Sequence, residues 1–319
     1  MVFTRVRLWA GVVLFAFIAC ISQPGLAGLT VLDVVEQVSQ ANYTHYLDEV
    51  LYTHSGDDRG SGPQHDLARN NILAEFDSFG LETSLDPFQY SGTYYNVVGV
   101  HSGSARPDDI YVVGAHYDSV NNPGADDNAS GTAAVMEAAR VLSQYEFEAT
   151  LVFIAFDREE QGMRGSSAYV TEHLNDNILG MVSMDMIAYT GARHIGRARI
   201  YGQQSSAAWK QSLGAAVRLY GNGISALDSG SISGSDHDPF ELAGFQACLF
   251  IEYEVWNNQC YHRPCDSVDT PDYIDYQFAT NMTRSVVGLL ATKAVLIPEP
   301  ATVLLLGIGV ILLRRRNCS

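Results

Sequence analysis

Short apolar runs, rich in β-branched and aromatic residues, recur through the middle of the chain and are separated by polar segments. Runs of this length and composition are typical of buried strands, which show no alternation when both faces of a sheet are covered. The predicted strands are 95–100, 110–113, 149–156, 178–184, 198–202 and 246–252.

Between these runs, apolar residues recur at the spacing of helices that bury one face. The predicted helices are 65–79, ended by Gly80, then 130–142, 165–174, 205–220 and a long closing helix at 272–295, with further helical turns in 29–64. Strands that alternate with helices predict an α/β fold with a mostly parallel (mixed) central sheet and helices on both faces.

Both ends of the chain have the composition of targeting segments. Residues 1–27 combine Arg5 and Arg7 with a short apolar run and small residues, which predicts a signal peptide. Residues 298–319 contain Pro298-Glu299-Pro300, a second apolar run and three arginines. We therefore expect one globular domain at 28–297, because no internal repeat or linker divides that region.

The charge balance narrows the range of partners. The chain has 36 acidic and 19 basic residues and a net charge of −17. This balance repels nucleic acid and anionic lipid surfaces, so we expect contact with a membrane only through the terminal segments. An acidic surface suits a substrate with a free amine, but it also simply keeps an exported protein soluble.

Acidic residues and histidines follow several predicted strands directly. In an open α/β sheet, ligands bind beyond the carboxyl ends of the strands, so these side chains are candidates for one shared site. Carboxylate oxygens and imidazole nitrogens are the ligands that a divalent metal needs. The candidates are His116, Asp118, Asp126, Asp127, Glu159, Glu160, Asp185 and His237.

Three cysteines lie within the predicted domain. In an exported protein, Cys260 and Cys265 are expected to form a disulfide that closes a short loop. Cys248 belongs to an apolar run and is expected to be a buried, free thiol.

Five motifs make the chain resemble the zinc peptidases of family M28, which include secreted bacterial aminopeptidases. They occur in the family's order between about residues 90 and 285. They read AHYDS from Ala115, GADDNASG from Gly124, FDREEQG from Phe156, MDM from Met184 and SDH from Ser235.

The resemblance implies a zinc-exopeptidase-like fold, two Zn²⁺ ions and a role for each matching residue. It makes Asp126 the carboxylate that bridges the ions, with His116 and Asp185 on one ion and Glu160 and His237 on the other. Asp118 would lie behind His116, on the side away from the metal, and would fix the tautomer of its imidazole. Glu159 would be the general base that takes a proton from water activated by the two metals.

Two alternatives in this assignment stay open. Asp127 competes with Asp126 for the bridging position, although the family register favours Asp126. The stretch from Tyr261 resembles a segment near the family's pocket, so Tyr261 and His262 are expected in the pocket wall, with His262 a less favoured further ligand.

We expect an aminopeptidase that removes N-terminal residues from peptides or proteins. The alternatives are a single-zinc enzyme resembling glutaminyl cyclase and an inactive surface binding protein with the same fold. The C-terminal segment resembles a PEP-CTERM sorting signal, which implies a Gram-negative bacterium and an exosortase-type protease as partner. The protein would then be exported to the cell surface, the outer membrane or the medium.

Overall fold

The computed structural model describes residues 28–191 and 195–298. The predicted signal peptide and all but Pro298 of the predicted sorting segment lie outside the described residues, as do Cys20 and Cys318. Within the described part, no helix has both the length and the apolar character needed to cross a bilayer.

The described residues contain one mixed sheet of eight strands. Its spatial order is β1-β2-β4-β3-β5-β8-β6-β7, and the four central strands β4, β3, β5 and β8 run parallel to one another. Strand β2 is antiparallel to β4, and β6 is antiparallel to β8. The strands are β1 Glu82–Gln89, β2 Thr93–His101, β3 Arg106–His116, β4 Ala149–Phe156, β5 Asn177–Met184, β6 Arg197–Tyr201, β7 Ser225–Asp228 and β8 Ala247–Glu252.

Helices cover both faces of this sheet, which confirms the predicted fold class. They are α1 Val31–Val35, α2 Gln40–His45, α3 Pro63–Ser78, α4 Gly131–Leu142, α5 Arg164–Glu172, α6 Ala207–Tyr220, α7 His237–Leu242 and α8 Tyr276–Lys293. Neighbouring residues of β3 point to opposite faces: Val113 packs in the core with α4, α6 and α8, whereas Val112 packs in the smaller core with α5 and α7.

The structure differs from the sequence prediction mainly in short elements. Strand β7, with the sequence SALD, has one large apolar residue and therefore carries no strand pattern. Helix α7 lies in a stretch where we predicted neither a helix nor a strand. Short elements at the edge of a fold bury little apolar surface, so periodicity does not reveal them.

Gly131, the first residue of α4, lies where this helix packs closely against the end of β5. A Cβ at position 131 would overlap the carbonyl oxygen of Met184 and the side chain of Asn128. Because backbone cannot move aside easily, we expect Gly131→Ala to lower the free energy of unfolding by about 1–3 kcal/mol in denaturant titrations.

Gly214 in α6 is the matched control, because a Cβ there has no neighbour closer than 3.7 Å. Gly214→Ala should raise the free energy of unfolding by about 0.5–1 kcal/mol through helix propensity alone. Equal effects of the two substitutions would contradict the close packing of α4 on β5.

Candidate metal centre

The candidate site lies at the carboxyl ends of the central parallel strands. His116 is the last residue of β3, and Asp185 follows the last residue of β5. Glu159 and Glu160 belong to the loop that follows β4. The sheet therefore brings together four side chains from three separate segments of the sequence, as predicted from their positions after strands.

A fourth element, the distorted π-helical turn Ala125–Ser130, brings an aspartate to the same place. Asp127 leaves helical geometry there, with φ −109° and ψ 90°. The carboxylate of Asp266 accepts hydrogen bonds from the backbone N–H groups of Asp126, at 2.7 Å, and Asp127, at 3.1 Å. These bonds fix the direction in which the two adjacent aspartates point.

Arg59 holds the start of this turn from inside the protein. Its fully buried guanidinium donates hydrogen bonds to the carbonyl oxygens of Tyr117, at 2.9 Å, Gly124, at 2.8 Å, and Pro123. Burial lowers the pKa of Arg59 to about 10, so this side chain is still charged at neutral pH. No motif pointed to Arg59 in the sequence.

His116 lies at the centre of one group of carboxylates. Its Nε2 atom is 3.4 Å from Asp127 Oδ1, 3.6 Å from Asp185 Oδ1 and 4.0 Å from Glu159 Oε2. Burial disfavours a charge on His116, but Asp118, Asp127 and Asp185 outweigh burial and raise its pKa well above the ordinary value.

His262 contacts two carboxylates of this cluster, those of Asp127 and Glu160. Its Nε2 atom is 3.1 Å from Asp127 Oδ2 and 3.2 Å from Glu160 Oε2. Contacts with Asp127 and Glu160 raise the pKa of His262 to about 10. Asp127 thus lies between two histidines, with one carboxylate oxygen towards each.

In this geometry Asp127 faces the two histidines, whereas Asp126, the predicted bridging residue, does not. Both oxygens of Asp126 are engaged elsewhere: Oδ1 accepts from the Ala188 N–H at 2.8 Å, and Oδ2 accepts from the Asn258 amide at 2.9 Å. Neighbouring side chains of an irregular turn point in different directions, and the sequence alone does not decide which one faces the cleft.

His262 contacts these carboxylates, whereas His237, the predicted ligand, lies elsewhere. His237 begins α7, and its Nε2 donates to the carbonyl oxygen of Ile232 at 3.1 Å. There it lies beside Asp238 and Glu241, as a separate group of potential ligand atoms within 4.8 Å of one another. Because the motif from Ser235 forms a short helix rather than a loop into the cleft, its histidine belongs to the packing around α7.

Asp118 occupies the supporting position that we predicted. Its carboxylate is 3.5 Å from His116 Nδ1, and its backbone carbonyl is closer to the same nitrogen, at 3.1 Å. The carboxylate also accepts the N–H groups of Glu159, at 3.1 Å, and Glu160, at 3.3 Å. One buried aspartate therefore orients the loops after β3 and β4 together.

The side chains of this cluster have the donor types and the unsatisfied atoms expected of a zinc site. His116 Nε2, Asp127 Oδ2 and Glu160 Oε1 are buried without a hydrogen-bond partner. Buried polar atoms are almost always paired, so such atoms facing one another indicate a bound cation. Imidazole nitrogens and carboxylate oxygens suit Zn²⁺. The residues present therefore fit the metal.

A cleft opens above this cluster, and its walls differ in character. One wall is apolar and includes Met186, Tyr201, Leu249, Ile251 and Val255. Tyr261 and His262 form part of another wall, with their rings stacked at 3.9 Å between centroids. Tyr261 thus lines the cleft as expected, whereas His262 also reaches the carboxylates.

The sequence between residues 96 and 289 matches the model of peptidase family M28. The chain belongs to this family. It is 37% identical to aminopeptidase YwaD of Bacillus subtilis over 193 residues, which are 56% of this chain and 40% of that protein. The chain thus spans about two-fifths of the length of this relative.

Solved structures from the same fold have different named activities. An aminopeptidase from Aneurinibacillus has a TM-score of 0.70 and 18% identity, covering 85% of this chain and 97% of that one. A glutaminyl cyclase from Bacteroides thetaiotaomicron has a TM-score of 0.66 and 19% identity, covering 79% and 97%. These likenesses show the fold, and the chemistry has to be argued from the site itself.

Substitution of the two histidines tests directly which of them binds zinc. We expect His262→Gln to bind fewer zinc ions per chain than the wild type, because it removes the nitrogen nearest Asp127 Oδ2 and Glu160. His237→Gln should keep the full zinc content. Elemental analysis of the purified, dialysed proteins measures both, and the opposite pattern would restore His237 as the ligand.

Proposed function

We propose that this protein is a zinc-dependent aminopeptidase that binds two Zn²⁺ ions. The observation that carries the proposal is the convergence of two imidazoles and four carboxylates at the floor of one cleft. His116, Asp127 and Asp185 would hold one ion, and Asp127, Glu160 and His262 the other. When bound, two zinc ions polarise a peptide carbonyl and make water more acidic.

Glu159 is the residue best placed to move protons. Its Oε2 atom lies 4.0 Å from His116 Nε2, and its side chain lines the cleft next to the ligand carboxylates. Burial raises the pKa of Glu159 well above its ordinary value, so its carboxylate is more basic than one in water. Glu159 would accept a proton from the attacking water and donate it to the leaving amine.

The acidic surroundings of the cleft also fit a positively charged substrate terminus. Glu159 lines the cleft and holds no ion in this proposal, so its carboxylate stays free to face such a terminus. An ammonium group of an N-terminal residue can lie against such carboxylates. An endopeptidase, whose substrates have no charged group at the cleaved position, gains nothing from this arrangement.

Substitution of Glu159 tests the chemical step. We expect Glu159→Gln to lower kcat for aminoacyl-anilides by about 10²–10⁴-fold, because an amide cannot accept the proton. Its zinc content should equal that of the wild type. Chelator should abolish wild-type activity, and added zinc should restore it.

Glu172→Gln is the matched control, because Glu172 ends α5 outside the cleft and should have no effect. Wild-type turnover that survives complete removal of metal would overturn the proposal. Cyclisation of N-terminal glutamine without peptide-bond cleavage would instead favour the cyclase alternative, and zinc binding without turnover of either substrate would favour a binding protein.

The apolar wall of the cleft suggests which N-terminal residues are preferred. Leu249 and Ile251 from β8 and Val255 face the cleft together with Met186 and Tyr201. A side chain that enters this region exchanges water for apolar contacts, at about 25 cal/mol per Å² buried. We therefore infer a preference for large apolar N-terminal residues.

We expect leucyl- and phenylalanyl-anilides to have kcat/KM values about 10–100-fold above those of aspartyl- and lysyl-anilides. Ile251→Ala should reduce kcat/KM for the leucyl substrate by about 10-fold, because it removes apolar surface from the wall. Leu219→Ala, at an exposed position of α6, should change nothing. A preference for charged substrates would refute this assignment of the wall.

Export and sorting of the protein stay predictions from the terminal sequences. We propose that residues 1–27 direct export and that residues 298–319 are recognised at the membrane by an exosortase-type protease. Both proposals are independent of the site.

A further inference from the structure

His262 differs from the other proposed ligands in how its backbone is supported. His116 ends β3, and Asp185 directly follows β5. His262 instead lies on a loop without strand or helix, with a left-handed φ of +54°. Its side chain is 37% exposed, whereas those of His116 and Asp127 are 1% and 6% exposed. Packing alone therefore restrains His262 least.

A disulfide encloses this histidine. Cys260 and Cys265 are bonded, with their Cα atoms 5.1 Å apart, and His262 is among the four residues between them. Inside the loop, the Arg263 N–H donates to the Cys260 carbonyl at 2.9 Å. The Cys260 N–H donates to Asn258 Oδ1 at 3.0 Å, which anchors the start of the loop.

The end of the same loop is tied to the proposed bridging carboxylate. Asp266, directly after Cys265, accepts the backbone N–H groups of Asp126 and Asp127 through its carboxylate. The Ala125 N–H donates to the Asp266 carbonyl at 3.1 Å. The disulfide therefore links the segment that carries His262 to the segment that orients Asp127.

We propose that the Cys260–Cys265 disulfide positions His262 for metal binding, so that opening this bond weakens zinc binding at the His262 side of the site. The proposal rests on the proposed function, since it takes His262 to be a ligand. The disulfide restricts the backbone where no strand does, and the imidazole then needs little further ordering when the metal binds.

The cysteines are positioning residues in this proposal and do not contact the metal themselves. Loss of groups that orient a ligand typically lowers metal affinity 10–100-fold. After the disulfide is removed, we expect a decrease of this size in the affinity for the more weakly bound of the two zinc ions. If the bond only stabilises the fold, its removal should lower the thermal unfolding temperature of the metal-free protein but leave the zinc affinity of the folded protein unchanged.

A double-mutant cycle on the full-length protein separates these roles. We compare Cys260→Ser/Cys265→Ser in the wild-type and His262→Gln backgrounds, and zinc affinity is measured by competition with a chromophoric chelator. Serines are used because free thiolates would bind zinc. If the disulfide acts through His262, its removal should weaken zinc binding about 10–100-fold in the wild type and less than about 2-fold in His262→Gln.

Cys248→Ala is the matched control, because it removes the buried free thiol and leaves the disulfide intact. It should leave zinc affinity unchanged. If the double serine variant does not fold, the same competition is run on folded wild type treated with a phosphine reductant and then alkylated. A dithiol reductant is avoided because it would chelate zinc.

An equal loss of zinc affinity in both backgrounds, or no loss in either, would overturn the proposal. Its failure is separable from that of the proposed function. Wild-type protein that binds zinc through His262 but does not cleave peptides would refute the aminopeptidase assignment and leave this inference standing. If the wild type cleaves peptides but removal of the disulfide does not change zinc affinity, this inference fails and the aminopeptidase assignment stands.

Discussion

The electrostatic repulsion among buried carboxylates at the floor of the cleft is the constraint on which the rest of the site depends. Asp127, Glu159, Glu160 and Asp185 lie close together with little solvent, and burial of several like charges is unfavourable unless a positive charge accompanies them. The titration behaviour reflects this. Burial raises the pKa of Glu160 to about 7, whereas His116 and His262 outweigh burial at Asp127 and lower its pKa to about 2. The crowded negative charge thus favours a proton on Glu160 and a positive charge on His116 and His262.

A rigid surrounding framework keeps these groups together in spite of their repulsion. Asp118 fixes His116 and the loop after β4, Asp266 fixes the turn that carries Asp127, and Arg59 binds the carbonyl groups that precede this turn. Each uses backbone groups as partners, so the orientation of a ligand is set by the main chain and does not depend on the ligand itself. Sites built in this way are preorganised, and a metal binds without the cost of ordering the loops.

The sequence was sufficient for the fold class and for the part of the site that regular structure controls. His116, Glu160 and Asp185 follow buried parallel strands, and the sheet geometry makes their convergence predictable from apolar runs alone. Asp127 and His262 could not be selected in this way. The choice between Asp126 and Asp127 depends on the direction of side chains in an irregular turn, which is set by Asp266, about 140 residues away in the sequence. His262 was visible as part of a motif, but its loop has no strand or helix whose end would place it beside Glu160.

Strand β8 connects the chemistry of the site with its selectivity. Leu249 and Ile251 face the cleft, and at the end of the same strand Glu252 Oε2 accepts the Tyr189 N–H while Oε1 lies 3.4 Å from the Asn258 amide that binds Asp126. Alternate residues of one strand point to opposite sides, so β8 can supply an apolar wall and still support the turn behind the metals. Because the fold is shared by proteins with different named activities, these local features, rather than the sheet, must distinguish them. In the proposed enzyme, the apolar wall would receive the N-terminal side chain, and the neighbouring peptide carbonyl would then lie over the ligand cluster. The geometry of β8 would therefore tie the proposed substrate preference to the position of the reacting bond.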